Sequence, residues 1–385
     1  MTLEGWSRKT IGDLCNFSNG YGFRPPDWSK EGLPIIRIQN LNGSKEFNYF
    51  SGVPDESWII EPGTILFAWA GTRGVSFGPT IWNGPRGVLN QHIFRVQPFE
   101  DINPLWLYAA LEAATSNIER KAHGFKATLL HVRKEEITRQ IVYTPLPLEQ
   151  QRIVDILSTW DRAIDLATQL IATKQQYKRG LVQQLLTGKR RFETFANQPW
   201  PLLKAGDIFQ TYSKRNNGSE ELLSVTQDRG VVPRSMLDTR VVMPANETES
   251  YKLVEPGDFI ISLRSFQGGI EYSQYKGLVS PAYTVLKPKQ PIVDSFYKHL
   301  YKSQNFISHL GVAIIGIRDG KQINFEDFAT IRLPYPILEE QKRIAEVLDT
   351  CDHELSLLNR KLELLKKQKQ GLMQQLLTGK VRVKT

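Results

Sequence analysis

The chain has 385 residues, of which 41% are hydrophobic and 23% charged, a balance that suits two or three globular domains with real cores. Its net charge of +9 and pI of about 9.3 admit a polyanionic partner without demanding one. Two isolated cysteines, Cys15 and Cys351, exclude a thiolate zinc cluster or redox pair and point to a reducing compartment; with no apolar run near the ~20 residues of a membrane span and no signal-like N-terminus, the expected location is the cytoplasm, away from membranes.

In chain order, the first segment is rich in Gly, Pro, Trp and Tyr. Its short β-branched and aromatic runs at 35–38, 64–69 and 92–96 read as strands, and 104–120 reads as a helix. After Pro145 and Pro147, which disfavour helix before them, a long helix follows from Glu149 to Thr187, roughly 58 Å at 1.5 Å per residue. Gly188 supplies its left-handed stop. Ile153, Leu157, Trp160, Ile164, Ala167, Ile171, Leu181 and Leu185 lie in alternating steps of four and three, the seam of a coiled coil, with Lys174 and Lys178 occupying seam positions.

A second globular segment repeats this texture, with strands at 222–226, 258–263 and 283–286 and helix around 293–309. A second long helix follows Pro334 and Pro336 and stops at Gly379. Its seam is Ile344, Leu348, Cys351, Leu355, Leu358, Leu362 and Leu365, then Lys369 as an interruption, then Leu372 and Leu376.

The two halves are copies. GLVQQLLTGK at Gly180 to Lys189 returns as GLMQQLLTGK at Gly371 to Lys380, an offset of 191 residues. The same offset carries Pro145, Glu149, Gln150, Arg152 and Ile153 onto Pro336, Glu340, Gln341, Arg343 and Ile344, and Asp161 onto Asp352. In the globular segments the repeat is fainter: Trp6 with Gly12-Asp13 answers Trp200 with Gly206-Asp207, and Glu61-Pro62-Gly63 answers Glu255-Pro256-Gly257. Gly180 and Gly371, inside the helices at a cost of about 1 kcal/mol each relative to Ala, suggest a close helix crossing or a tolerated glycine near a fraying end. Domains are expected at 1–144 and 193–335, alternating with helices at 145–192 and 336–385. A two-fold repeat suggests that the helices pair with each other, since a lone leucine seam would face water.

PLPLEQQRIVDIL and PILEEQKRIAEVL, each leading through a long helix to QQLLTGK, resemble the two repeated regions of the specificity subunit of type I restriction–modification enzymes. ILFAWAGTRG…GVLNQHIFRV, from Ile65 to Val96, resembles a target-recognition pattern of that family. The match covers nearly the whole chain and departs mainly at Lys174 and Lys178. The resemblance implies an α+β fold. Two mixed α/β target recognition domains would alternate with two long helices paired as an antiparallel coiled coil, a pseudo-two-fold tandem repeat. It implies a non-catalytic reader of a split site in double-stranded DNA, docking two modification subunits that methylate adenine N6, and restriction subunits. S-adenosylmethionine, ATP and Mg2+ would sit on those partners, with no cofactor or metal on this chain.

A search for intrinsic chemistry yields weak signals. Asn103-Pro104-Leu105-Trp106 lacks the second proline of an amino-methyltransferase motif and reads as a turn opening a helix. Gly20-Tyr21-Gly22 has no strand–loop–helix setting for a phosphate. Asp319-Gly320-Lys321 has a nuclease-like spacing, but its upstream acid, Asp294, follows valine. The histidines show no metal-binding spacing, and there is no P-loop. A self-contained DNA methyltransferase or nuclease is therefore disfavoured, while a coiled-coil adaptor with protein-binding domains stays open.

Direct base reading calls for Arg or Lys on guanine and Asn or Gln on adenine, with further polar groups on phosphates. Loops mixing these types are Arg37, Gln39, Asn40 and Asn42; Thr72 and Arg73; Asn90, Gln91 and His92. In the second half they are Lys214, Arg215, Asn216 and Asn217; Gln227 and Arg229; Arg264 and Gln267; and Arg318, Lys321, Gln322 and Asn324. Any one of them can equally be a solvated loop residue. Tyr21, Trp69, Phe266 and Tyr283 could stack on a base or pack in a core.

Overall fold

The computed structural model describes residues 5–121, 129–215, 220–237, 248–263, 265–314 and 323–383. It divides into two compact units, Met1–Ala167 with Lys361–Thr385, and Thr168–Arg360. Four helices matter most: α1 (Pro104–Lys121), α2 (Pro147–Leu185), α3 (Asp294–Tyr301) and α4 (Leu338–Leu377). Both long helices, α2 and α4, contribute one part to each unit.

In the first unit an antiparallel sheet runs Cys15–Asn19, Ile93–Pro98, Ile65–Ala68, Gly78–Ile81. A second sheet runs Tyr49–Phe50, Leu33–Ile36, Gly87–Leu89, Ile59–Ile60, its middle pair parallel. Ser7–Thr10 pairs with Ile141–Thr144, so the start of the unit is fastened to the segment that enters α2. Asn103 caps α1, its Oδ1 accepting from the amides of Leu105 (3.0 Å) and Trp106 (3.2 Å), which is the turn expected from the sequence. Trp106, Leu107, Ala110, Leu111 and Ala114 line the inward face of α1 and are buried with Phe17, Phe67 and Phe94. Ile153, Val154 and Leu157 of α2 and Leu376 and Leu377 of α4 join the same core.

The second unit repeats the frame. Its sheet runs Phe209–Tyr212, Thr284–Pro288, Phe259–Ile261, Glu271–Tyr272, and Leu202–Lys204 pairs with Arg332–Pro334 as the fastening strand. Its core is aromatic: Phe209 meets Tyr297 edge-on at 5.3 Å and Phe259 meets Tyr301 at 5.2 Å. Leu181 and Leu185 of α2 and Ile344 and Leu348 of α4 close it. Glu61-Pro62-Gly63 and Glu255-Pro256-Gly257 do the same work in both units. Each builds a tight turn with proline second and glycine third, Gly63 at φ 90° and Gly257 at φ 98°, closed by bonds from Thr64 to Glu61 (3.2 Å) and Asp258 to Glu255 (3.1 Å).

Within each unit the helix segments are antiparallel. In the second, Lys174 bonds Glu354 (2.7 Å) and Lys178 bonds Asp352, so the partners run in opposite directions. In the first, Glu149 meets Arg382 and Asp161 meets Lys369 (2.5 Å). The three seam lysines that break the leucine pattern therefore each face a carboxylate on the other helix. Gly188 and Gly379 end α2 and α4 at φ 68° and 67°, as the left-handed stops require.

One open alternative is decided and one expectation needs correction. A Cβ on Gly180 or Gly371 would meet nothing within 4 Å, so these are tolerated glycines in open space and not a close crossing. The expected strand at 35–38 lies two residues earlier, at Leu33–Ile36, because residues from Ile38 turn into a single helical turn, Ile38–Leu41.

Candidate nucleic-acid interface

In the first unit the parallel pairing of Ile35–Ile36 with Val88–Leu89 sets Arg37 beside Asn90 where the strands end. The Asn90 amide bonds the Ile36 carbonyl (3.0 Å), Tyr21 bonds Leu89 (2.9 Å), and Gln91 bonds Tyr21 (2.8 Å). Gly20 makes this approach possible, because a Cβ there would sit 2.2 Å from the Asn90 carbonyl oxygen. The Gly20-Tyr21-Gly22 signal is thus a close backbone crossing. Arg37, Asn90, Gln91 and Tyr21 are brought together, and His92 follows with φ 76°, the one non-glycine residue with positive φ among those described.

His92 lies against Trp69 (4.8 Å between ring centroids), and Trp69 also faces His131 (6.1 Å) and donates from Nε1 to Asn19 Oδ1 (3.3 Å). Trp69 is half-buried while Gln91 and His131 are exposed, so the cluster has an open face. Arg37 rests its guanidinium on Trp28 at 4.5 Å, with Nε and Nη2 buried and without hydrogen-bond partners among the described residues. Burial pulls its pKa below the usual arginine value. Tyr21 stacks on Trp58 at 4.3 Å.

Asn40 is not available to a base. It is 6% exposed, its Oδ1 accepts from the Arg37 amide (2.9 Å), and its Nδ2 donates to the Ser44 (3.1 Å) and Glu46 (2.8 Å) carbonyls. Its amide is spent holding the loop that presents Gln39 and Asn42, both exposed. Thr72 and Arg73 sit further along, on the turn after Ala70–Thr72. Ser76 Oγ accepts from the Thr72 amide (2.7 Å) and Glu119 from the Gly74 amide (3.1 Å).

In the second unit Gln227 and Arg229 lie at the tip of the hairpin made by Leu223–Thr226 and Gly230–Pro233, and both are exposed. Gln267 lies on the helical turn Ser265–Gly268, and the two tips touch, since a Cβ on Gly268 would be 3.0 Å from the Gln227 side chain. Lys214 and Arg215 follow the strand Phe209–Tyr212 and are exposed. Asn324 caps the helix Phe325–Thr330, its Oδ1 accepting from the Asp327 amide (2.7 Å), which already explains its residue type. Asn216, Asn217, Arg264, Arg318, Lys321 and Gln322 lie outside the described residues, as do Asp319 and the side chain of Phe266.

The repeated Glu-Gln motif fastens the helix starts. Glu149 is 2% exposed and accepts Arg382 Nε at Oε1 (2.8 Å), Arg382 Nη2 at Oε2 (2.9 Å), and Trp6 Nε1 (2.8 Å). Glu340 is held in the same way by Arg191, at 2.9 and 2.6 Å. Gln150 donates to the Pro145 carbonyl (3.0 Å) and accepts from the Asn103 amide (2.8 Å); Gln341 donates to Pro336 (2.8 Å) and accepts from Val293 (2.9 Å). Arg382 lies over Trp6 and Arg191 over Trp200. Sequence reasoning did not single out Arg191, Arg382 or His131. The first two had a signal, since they continue the 191-residue offset just past the decapeptide.

Among the described residues His299, Asp349 and Asp352 form the one group of metal-ligating type, with ligand atoms within 4.8 Å of one another. Its carboxylates are already met by cations, Asp349 by Lys298 (2.8 Å) and Asp352 by Lys178. Burial pushes the Asp349 carboxyl up, but bonds from Lys298, Ser295 and His299 outweigh it and hold the group at about 2. The cluster is an ion-pair network tying α3 to the helix pair. No described helix is long and apolar enough to cross a membrane.

A family model described as the type I restriction modification DNA specificity domain matches residues 3–173 and again 199–367. The MjaVIII type I restriction enzyme specificity subunit of Methanocaldococcus jannaschii is 24% identical over 99% of this chain and 94% of its own. The EcoBI specificity subunit of Escherichia coli is 25% identical over 48% of this chain and 40% of its own. The S subunit of a type-I restriction-modification system from M. genitalium has a similar fold, with a TM-score of 0.54 at 16% identity over 97% of this chain and 96% of that one. A chain from a structure describing assembly and conformational transition of the type I R-M system gives 0.60 at 14% identity, over 98% and 99%.

Proposed function

The chain belongs to the type I restriction modification DNA specificity family, as a non-catalytic specificity subunit, and from that premise we propose how it divides its work. Residues 1–144 and 193–335 each read one half of a split duplex site, and the helices at 145–192 and 336–385 act as the spacer that sets the gap. Two modification subunits bearing S-adenosylmethionine and methylating adenine N6 dock on this frame, together with restriction subunits that use ATP and Mg2+, in the cytoplasm. The chain itself needs no cofactor.

The observation that carries this reading is the contrast between frame and tips. Glu149 with Arg382 and Glu340 with Arg191 are one interaction at two repeat positions. Among the described residues the tips share nothing comparable: Trp69, His92, His131 and Gln91 in the first unit, Gln227, Arg229 and Gln267 in the second. A kept frame with unlike loops is what two different half-sites require. Arg37, Gln39, Asn42, Thr72, Arg73, Asn90, Gln91 and His92 are proposed contacts for the first half. Lys214, Arg215, Gln227, Arg229 and Gln267 are proposed contacts for the second.

The test is to map methylated adenines in cells carrying this chain and its modification partner, then to exchange residues 1–144 for those of another family member. A split motif in which only one half changes supports the reading. An undivided motif, or changes in both halves, overturns it. Retention of random-sequence duplex that weakens steeply with salt separates DNA reading from a protein-binding adaptor.

A further inference from the structure

Beside the hairpin tip of the second unit lies a cavity of about 670 Å³, lined by Thr226, Gln227, Asp228, Ser262, Glu271 and Tyr283 among others. Glu271 is 1% exposed, and its two oxygens differ. Oε1 accepts from Lys302 Nζ at 2.5 Å. Oε2 is buried and has no hydrogen-bond partner among the described residues. Lys302 cannot serve it, because an ammonium has three donors and the other two reach the carbonyls of Gly268 (2.9 Å) and Gln227 (3.4 Å). Gly230, at φ 70°, packs close to the free oxygen: a Cβ there would lie 3.9 Å from it and 3.3 Å from the Tyr272 carbonyl oxygen.

Buried acceptors left without a donor are uncommon and need a reason. Here the missing donor has a way in. The cavity is walled on one side by the hairpin turn bearing Gln227, a proposed DNA contact, and on the other by Ser262, Leu263 and Tyr283. Its acids, Glu271 and Asp228, disfavour a phosphate and favour a group that donates. Burial carries the Glu271 carboxyl up to about 7 against the pull of Lys302, with the charge of Asp228 adding to the rise.

We propose that this cavity receives the amino edge of a cytosine or adenine taken out of the stack, with Glu271 Oε2 accepting from the exocyclic amine and Tyr283 flanking the ring. Carboxylates accept from cytosine N4 in groove readout, and a base lifted from the duplex is read by the same edge chemistry. Glu271 is then a specificity-determining residue of the half-site read by the second unit. The inference rests on the DNA-reading function above and adds to it a residue, a cavity and a base class.

The experiment uses the full chain with its modification subunits and duplexes carrying the mapped site. Each cytosine or adenine of the second half-site is replaced in turn by 2-pyrimidinone or purine, which lack only the exocyclic amine. The expected result is one position where removal weakens wild-type binding tenfold or more, a penalty that shrinks to within twofold in Glu271→Gln while the first half-site keeps its preference. Glu271→Asp, which keeps the acceptor but draws it back, should retain the base preference at reduced affinity, so a reading survives if the glutamine variant folds poorly. An equal penalty in wild type and Glu271→Gln, or no sensitive position, overturns this inference and leaves the DNA-reading function standing. A wild-type complex without sequence preference overturns both.

Discussion

Arg191 grips Glu340 with two prongs, Nε to Oε1 at 2.9 Å and Nη2 to Oε2 at 2.6 Å, and the carboxylate it holds is wholly shielded from water. Its repeat counterpart, Arg382 on Glu149, has the same geometry with a wetter cation, 42% exposed against 15% for Arg191. Removing the cation from a buried carboxylate costs about 3–5 kcal/mol, and solvent reduces that steeply when the cation is exposed. Arg191→Ala should therefore lower stability by about 3 kcal/mol and Arg382→Ala by about 1–2 kcal/mol, measured by urea unfolding of the full chain. Equal losses would mean that the burial of the cation does not govern these clasps.

The seam offers a second asymmetry. Lys178 with Asp352 and Lys369 with Asp161 are one ion pair at two repeat positions. Lys174 with Glu354 has no such twin, because Leu365 and Ala163 occupy the corresponding places. Replacing an isolated, part-exposed pair by packed apolar residues is neutral or stabilising. The double variant Lys174→Leu with Glu354→Ala should thus leave stability unchanged or raise it by about 1 kcal/mol. Lys178→Leu should lower it, since the part-exposed Asp352 would lose its nearest cation with nothing replacing its own charge. A thermal melt of each variant decides, and a stabilised Lys178→Leu contradicts the argument.

The DNA contacts divide by kind. If Arg73 or Arg229 touches phosphate, its replacement by alanine should lower the slope of log affinity against log salt by about 0.9 and leave base preference alone. Asn40→Ala should do neither. It should instead cost about 1–2 kcal/mol of stability through the lost loop bonds, as the Ser44 and Glu46 carbonyls lose their donor. A shifted base preference in Asn40→Ala would show that the loop side chain reaches DNA after all.

These cases show where the sequence was readable. The long helices were legible because the leucine period, the prolines before them and the glycines after them are all local signals, and the repeat displayed each one twice. The tight turns at Gly63 and Gly257 were marked for the same reason. Lys174 and Lys178 could be seen to break the seam, but the carboxylates that answer them lie on the other helix, and no spacing rule names them. Arg382 meets a glutamate 233 residues away. Asn40 misled because its type suits adenine, while a turn just beyond it had already taken both ends of its amide. Gly180 stayed ambiguous because a glycine at a repeat position can mark a close contact or merely an unburdened surface, and only the space around it tells which.

The last prediction concerns pH. His299 is 4% exposed, with Nε2 2.9 Å from Asp349 and Nδ1 3.8 Å from Asp352, and Lys298 and Lys178 stand by. Burial lowers its pKa, the Lys298 charge lowers it further, and the bond to Asp349 only partly opposes them. The unfolded histidine takes up a proton below about 6.5 while the folded one resists, so the unfolded state binds more protons and stability falls as pH drops below that value. Asp349 also loses stability in acid, but only between 3.8 and about 2, well below the histidine window. Glu271 acts oppositely. Its raised folded pKa makes the folded state hold the proton first, which favours folding as pH falls from about 7 towards 4.5. The wild-type curve mixes the two, so the comparison must be with His299→Gln, which keeps a donor for Asp349 and cannot titrate. Between about pH 7.5 and 5.5 the melting temperature of the wild type should fall relative to that of His299→Gln. Parallel curves would mean that the buried ring takes up its proton as readily folded as unfolded, and that Asp349 and Asp352 outweigh burial and the lysines.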